Sequence, residues 1–208
     1  MADTFPLKEL RLLLEKAQAA DADLKQFGAK NHKYQWNPPA SLTDIEEFER
    51  ESGITLPEGY RDFLLQAGDG GAGPFYGLFS LEQVRGWLGW PLEPEKPPVL
   101  RPGMSEAENC GEKNWKRGCI PIESEGDTFF TCLMVTGPDQ GRVVYIEYEG
   151  YWVFFPREPD FLSWYTRWLR DTANGYKRIG WFATDLDGDE EELRRHYTEA
   201  GSKEERQL

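Results

Sequence analysis

Residues 41–64 read Ser41-Leu42-Thr43-Asp44-Ile45-Glu46-Glu47-Phe48-Glu49-Arg50-Glu51-Ser52-Gly53-Ile54-Thr55-Leu56-Pro57-Glu58-Gly59-Tyr60-Arg61-Asp62-Phe63-Leu64. Ser41 and Thr43 are candidate N-caps. Thr43-x-x-Glu46 has the spacing of a capping box, in which a hydroxyl and a carboxylate each satisfy an exposed backbone N–H. Leu42, Ile45 and Phe48 form an apolar stripe. Glu46, Glu47 and Glu49 put carboxylates early in the helix, where its dipole favours them. Gly53 should stop this helix, with Ile54 folding back onto Phe48. Pro57 opens a second helix, whose Tyr60, Phe63, Leu64 and Ala67 share one face. Gly68-Asp69-Gly70-Gly71 then breaks it.

Working outward toward the N-terminus, Pro6 suits a first helical turn, and Leu7, Leu10, Leu13, Leu14 and Ala17 recur at helical spacing. That helix fades near Asp21. Residues 22–40 look irregular and end in Asn37-Pro38-Pro39. Toward the C-terminus the period changes. Residues 75–79 suggest a short strand, 81–90 a helical turn, and 91–102 a Pro-rich surface loop. Segments 120–122, 128–135, 142–148 and 151–155 are rich in β-branched and aromatic residues and read as strands. Turns at 137–141 and 149–150 join the last three into an antiparallel meander. After Pro159, a closing helix carries Phe161, Trp164, Tyr165, Trp168 and Leu169. The expected fold class is α+β: a mostly antiparallel sheet packed by N-terminal helices and a C-terminal aromatic helix.

Composition narrows the function. The 208-residue chain has 37 acidic and 24 basic residues, a net charge of −13. Such a field repels nucleic acid and steers a basic protein partner inward. No apolar run is long enough to span a bilayer, and Met1 to Pro6 lacks the layout of a signal peptide, so a cytoplasmic location without membrane contact is expected. Three cysteines, Cys110, Cys119 and Cys132, at irregular spacing read as reduced thiols. With no Cys-x-x-Cys and only His32 and His196, no metal site is expected.

The helix pair, with Ser41, Asp44, Ile45, Phe48, Glu49, Gly53, Ile54, Leu56, Pro57, Tyr60, Phe63 and Leu64 at set distances, resembles the signature of the SUKH superfamily in its Smi/Knr-like branch. Leu78-Phe79-Ser80-Leu81-Glu82, Ile120-Pro121-Ile122 and the closing aromatic helix fit the same pattern, over roughly Ser41 to Asp171. The family often shows Asn-Gly-Gly after the second helix. Here Asp69 stands in the asparagine's place, in a left-handed turn that either residue tolerates. The resemblance implies a non-catalytic protein-binding domain. Bacterial members are mostly immunity proteins that neutralise a toxin domain, often a nuclease, while fungal relatives regulate cell-wall assembly. Thr43, Ile45, Phe48, Gly53, Leu56, Pro57, Tyr60, Phe63 and Leu64 are expected to be structural: caps, stops and core.

Enzymatic alternatives are weakly supplied. His32 and His196 sit outside any expected rigid frame, so a nucleophile–histidine pair is hard to build. The glycines at 68, 70, 71 and 73 follow a helix and lack the Gly-Lys-Ser/Thr ending of a phosphate loop. Glu123 with Glu125, or Glu147 with Glu149, could serve a hydrolase if they faced one cleft, but a solvated sheet edge would place them identically. No catalytic residue and no cofactor is expected. The stretch from Asp185 starts like a calcium loop, yet Glu190 and His196 stand where glycine and glutamate belong. Residues 185–208 hold nine acidic and four basic residues, a net of −5, and read as a solvated acidic tail. Candidate partner contacts are Asp69, Trp87, Trp90, Asp185, Asp187, Asp189, Glu190 and Glu191, since tryptophan is enriched at binding hot spots and acids suit a basic partner. The chain thus divides into 1–40, an N-terminal helix and irregular extension; 41–184, the α+β domain; and 185–208, the acidic tail.

Overall fold

The computed structural model describes residues 5–87, 93–102, 116–147, 149 and 152–175. Helices α1 (Leu7–Ala20), α2 (Ala29–His32), α3 (Leu42–Ser52), α4 (Glu58–Gln66) and α5 (Leu81–Arg85) precede four strands, β1 (Cys119–Gly126), β2 (Phe129–Met134), β3 (Val143–Glu147) and β4 (Trp152–Phe154). Helix α6 (Phe161–Ala173) closes the described chain. The strands form one antiparallel sheet in the order β1-β2-β3-β4. The α+β meander with a C-terminal aromatic helix is therefore present.

Both faces of this sheet are covered. Ile120, Ile122, Leu133, Val135, Val143 and Tyr145 point into the main core, shared with α1, α3, α4 and α6. The alternating residues Cys119, Cys132, Met134, Val144 and Ile146 point into a second core with Phe130 and Leu100. The 91–102 segment, expected as a plain surface loop, thus places Leu100 at 2% exposure against the sheet. Cys119 and Cys132 lie buried there as thiols.

Several local expectations need correction. The N-cap of α3 is Ser41, which forms a capping box with Asp44; Thr43 already lies inside the helix. Asp44 supplies a shorter carboxylate arm than Glu46, and it reaches both the Ser41 N–H (3.1 Å) and hydroxyl (2.6 Å). Leu42 leaves the apolar stripe and stands 50% exposed, while Ile45 and Phe48 are fully buried. Residues 75–79 form no strand. Phe75 takes a left-handed φ of 45°, which breaks the extended run, and only Leu78 makes bridges, to Gly71 and Glu123. Glu123 and Glu125 are not on a solvated edge. Register irregularities follow Pro121 and Ser124, Leu78 covers the outer side of β1, and both carboxylates are fully buried. The Thr131 hydroxyl donates to Glu125 (3.3 Å). Glu147 is buried and accepts from Thr128, whereas Glu149 is exposed.

Other readings stand as written. Gly53 ends α3 at φ 69°, and both its N–H and that of Ile54 return to the Glu49 carbonyl. Tyr60, Phe63, Leu64 and Ala67 are all buried, as are Phe161, Trp164, Tyr165, Trp168 and Leu169. Edge-to-face rings lock α4 to α6: Tyr60 and Phe63 lie 4.9 and 5.4 Å from Phe161, and Phe63 lies 4.9 Å from Tyr165. Helix α1 packs along α6, with Leu10, Leu14 and Ala17 in the main core.

Candidate partner-binding surface

Helix α3 presents its polar side outward. Five of its eleven residues are acidic (Asp44, Glu46, Glu47, Glu49, Glu51) and one is basic (Arg50). The buried Ile45 and Phe48 fix which side faces solvent, because residues three and four apart share a face. Some of this charge has local work. Asp44 is held below the usual carboxylate range, first by the Ser41 hydroxyl and then by the Ser41 N–H. Glu49 accepts the Leu56 N–H (2.7 Å) and lies 3.7 Å from Arg61. Glu51 meets Arg85 at 3.0 Å, whose guanidinium also lies 5.9 Å over the Phe48 ring. Glu46 and Glu47 remain exposed on the outer side, with Glu47 3.4 Å from Arg50.

A broad shallow groove of about 550 Å³ continues from the C-terminal end of α3. The Leu56-Pro57 step floors it, Glu58, Arg61 and Asp62 of α4 line one wall, and Gln140 of the β2–β3 turn forms the other. The Gln140 amide donates to the Thr55 carbonyl (3.1 Å), tying that turn to the helix pair. Two carboxylates and one arginine bound to Glu49 give this groove an acidic balance. It suits a broad protein contact better than a small molecule, which needs an enclosed apolar pocket.

The expected contact residues are placed differently. Asp69 lies in the break after α4, but the left-handed backbone falls on Gly70 and Gly71 (φ 76° and 98°). The Asp69 carboxylate instead accepts the Leu81 N–H (2.7 Å) at the start of α5, and burial raises its pKa. Trp87 is half-buried, its ring 4.9 Å from Phe130 at 73°. Trp90, Asp185, Asp187, Asp189, Glu190 and Glu191 lie outside the described residues. The structural set is laid out as a unit: Ile45, Phe48, Leu56, Tyr60, Phe63 and Leu64 in the core, Gly53 at the stop, Pro57 at the start of α4.

Sequence reasoning passed over a second constellation. The buried Asp21 carboxylate accepts the Lys25 and Gln26 N–H groups (2.7 and 3.1 Å) and the Tyr34 hydroxyl (2.8 Å). His32 Nδ1 accepts the Tyr34 N–H (3.0 Å), and burial lowers its pKa to about 4, against a smaller opposing pull from Asp21. Trp36 donates to the Tyr165 hydroxyl, which donates to the Ala72 carbonyl, each at 2.7 Å. These groups close on one another, which is the pattern of structural bracing. Among the described residues no group of three or more His, Cys, Asp or Glu is placed to hold a metal, and no helix is long and apolar enough to cross a membrane.

A helix-flanked antiparallel meander with its signature helix pair beside an outward acidic face defines an α+β domain. The chain belongs to the SMI1/KNR4 family (SUKH-1), whose profile matches residues 39–167. That match spans α3 through most of α6. This family is generally non-catalytic and associated with protein–protein interaction. No curated protein matches the chain.

Proposed function

We propose that this protein is a non-catalytic immunity protein that acts in the cytoplasm by binding and neutralising a toxin domain with a basic surface, a nuclease being the favoured kind. The observation that carries the reading is the outward acidic side of α3 running into the groove at Leu56-Pro57 and Asp62. A nuclease needs a basic cleft to hold phosphates, so an acidic protein surface can occupy that cleft by charge and shape. The full burial of Glu123 and Glu125 also fits this reading better than a hydrolase that would need a solvent-reached carboxylate pair.

The test is to inspect the flanking genes and co-express this chain with the C-terminal domain of whichever large protein is encoded nearest to it. Cells should survive with this chain and die without it; death in both cases would end the proposal. Within a surviving pair, the double reversal Glu46→Lys with Glu47→Lys should slow association about tenfold at low salt and much less at high salt. The fold should be retained, since both side chains are exposed. Association kinetics at two salt concentrations check this.

A further inference from the structure

Most acids of α3, α4 and α5 have a local partner. Asp44 accepts from Ser41, Glu47 meets Arg50, Glu49 meets Arg61, and Glu51 and Glu82 share Arg85. Two carboxylates on α4 differ. Among the described residues, Glu58 and Asp62 make no ion pair and no side-chain hydrogen bond, and both line the groove at Leu56-Pro57. Glu46 on α3 shares that state but stands outside the groove. Glu58 and Asp62 are four apart on one helix, so they share a face, and like charges at that spacing weaken a helix. Glu58 lies in the first turn, where the dipole favours it, but Asp62 sits mid-helix, a poor place for aspartate. Local stability gives no reason for this pair.

The groove around them is fixed in shape. The Gln140 amide donates to the Thr55 carbonyl (3.1 Å) and the Phe161 N–H to the Gly141 carbonyl (2.9 Å), so the β2–β3 turn is tied to the helix pair and to α6. Pro57 packs beside that turn: a Cβ added at Gly141 would lie 3.6 Å from it. Acceptors dominate the lining. Besides the two carboxylates there is the Gln140 amide oxygen, which makes no hydrogen bond among the described residues. The cation on the wall, Arg61, is committed to Glu49 at 3.7 Å. An occupant must therefore bring donors and positive charge, with an apolar stretch to cover the half-buried Pro57. An arginine side chain has that layout, a run of methylenes ending in a planar fork of N–H donors.

We propose that the groove seats an arginine side chain of the toxin partner, its guanidinium bridging Glu58 and Asp62 and its methylenes lying on Pro57. This rests on the immunity reading above and gives that contact a division of labour. The exposed acids of α3 act at a distance and set how fast the partner arrives. The groove acts on contact and sets how long the partner stays, because a charge pair removed from water at an interface governs dissociation. With both walls already tied, little ordering is needed when the side chain enters.

The first test needs no partner. The full chain is titrated with N-acetyl-argininamide and, separately, with sodium chloride at equal ionic strength, while its amide signals are followed by NMR. Only the arginine compound should give saturable shifts at Glu58, Asp62 and Gln140, and Glu58→Gln with Asp62→Asn should abolish them. Shifts no different from those in salt, or unchanged in the double variant, would overturn the proposal. Thermal melts should show that variant at least as stable as the parent, because a like-charge pair is removed. The second test uses the toxin domain against which this chain protects in co-expression. There the double variant should dissociate about thirtyfold faster while associating within about threefold of the parent. An unchanged dissociation rate would remove the arginine site and leave the immunity reading standing. Saturable arginine binding by a chain that rescues no cell would keep the site and remove the toxin.

Discussion

His32 shows how one residue's surroundings set a property of the whole fold. Its ring accepts the Tyr34 N–H while packed 6.1 Å from Trp168, so the neutral form is the one the fold holds. With a folded pKa near 4 against an ordinary 6.5, the unfolded chain binds more protons between those values. Stability therefore rises with pH across that window and is lost as pH falls through it. Acidification should cost about 2 kcal/mol from this group, allowing for its partial exposure. His32→Asn keeps an acceptor without the titration. Urea midpoints from pH 7 down to pH 4 should fall less steeply in that variant than in the parent. None of this was legible in the sequence, where His32 looked like a lone histidine in an irregular stretch. A left-handed φ at Lys33 or Tyr34 leaves no mark on residue type, and Asp21 finds Tyr34 only through the fold. Glu123 and Glu125 were misplaced for a similar reason. Their spacing is that of an exposed edge, and only the irregular register and the covering Leu78 bury them.

Among the elements, α3 and α4 were the most readable, because caps, stops and apolar spacing are local signals. The choice of cap was less so. Ser41 and Thr43 offer equivalent hydroxyls, and the helix starts where Asp44 can answer Ser41. Ser41→Ala should therefore cost about 1 kcal/mol, and Thr43→Ala should stay within about 0.5 kcal/mol. Thermal or urea melts of the two variants decide it, and equal losses would contradict the assignment of the cap. The strands were found from their composition; the last three shifted by one residue at each end, whereas β1 runs from Cys119 to Gly126 instead of the expected 120–122. What composition could not say was that both sheet faces are buried, since an alternating pattern usually leaves one face in water. Leu100, with Trp87 packed against the same cluster, covers that second face from outside the sheet.

For the molecule as a whole, the first helix was expected as an extension, yet Leu10 and Leu14 share one core with Trp168 and Leu169. Its Glu9 also meets Arg170 at 2.9 Å. Leu10→Ala should cost about 2–5 kcal/mol, the price of a cavity in a packed interior. A loss below about 1 kcal/mol in urea unfolding would mean that α1 is peripheral. The family's profile match begins at residue 39, so this helix lies outside the matched segment yet contributes to the main core. The second core carries a consequence of its own. Cys119 and Cys132 are buried in it with Leu100, and burial together with the neighbouring Cys119 pushes the Cys132 thiol well up, so the Cys132 sulfur offers no ready thiolate. An alkylating reagent should therefore mark Cys132 only when this second core opens. The labelling rate of that thiol would thus count openings of the second core apart from events at the acidic helix.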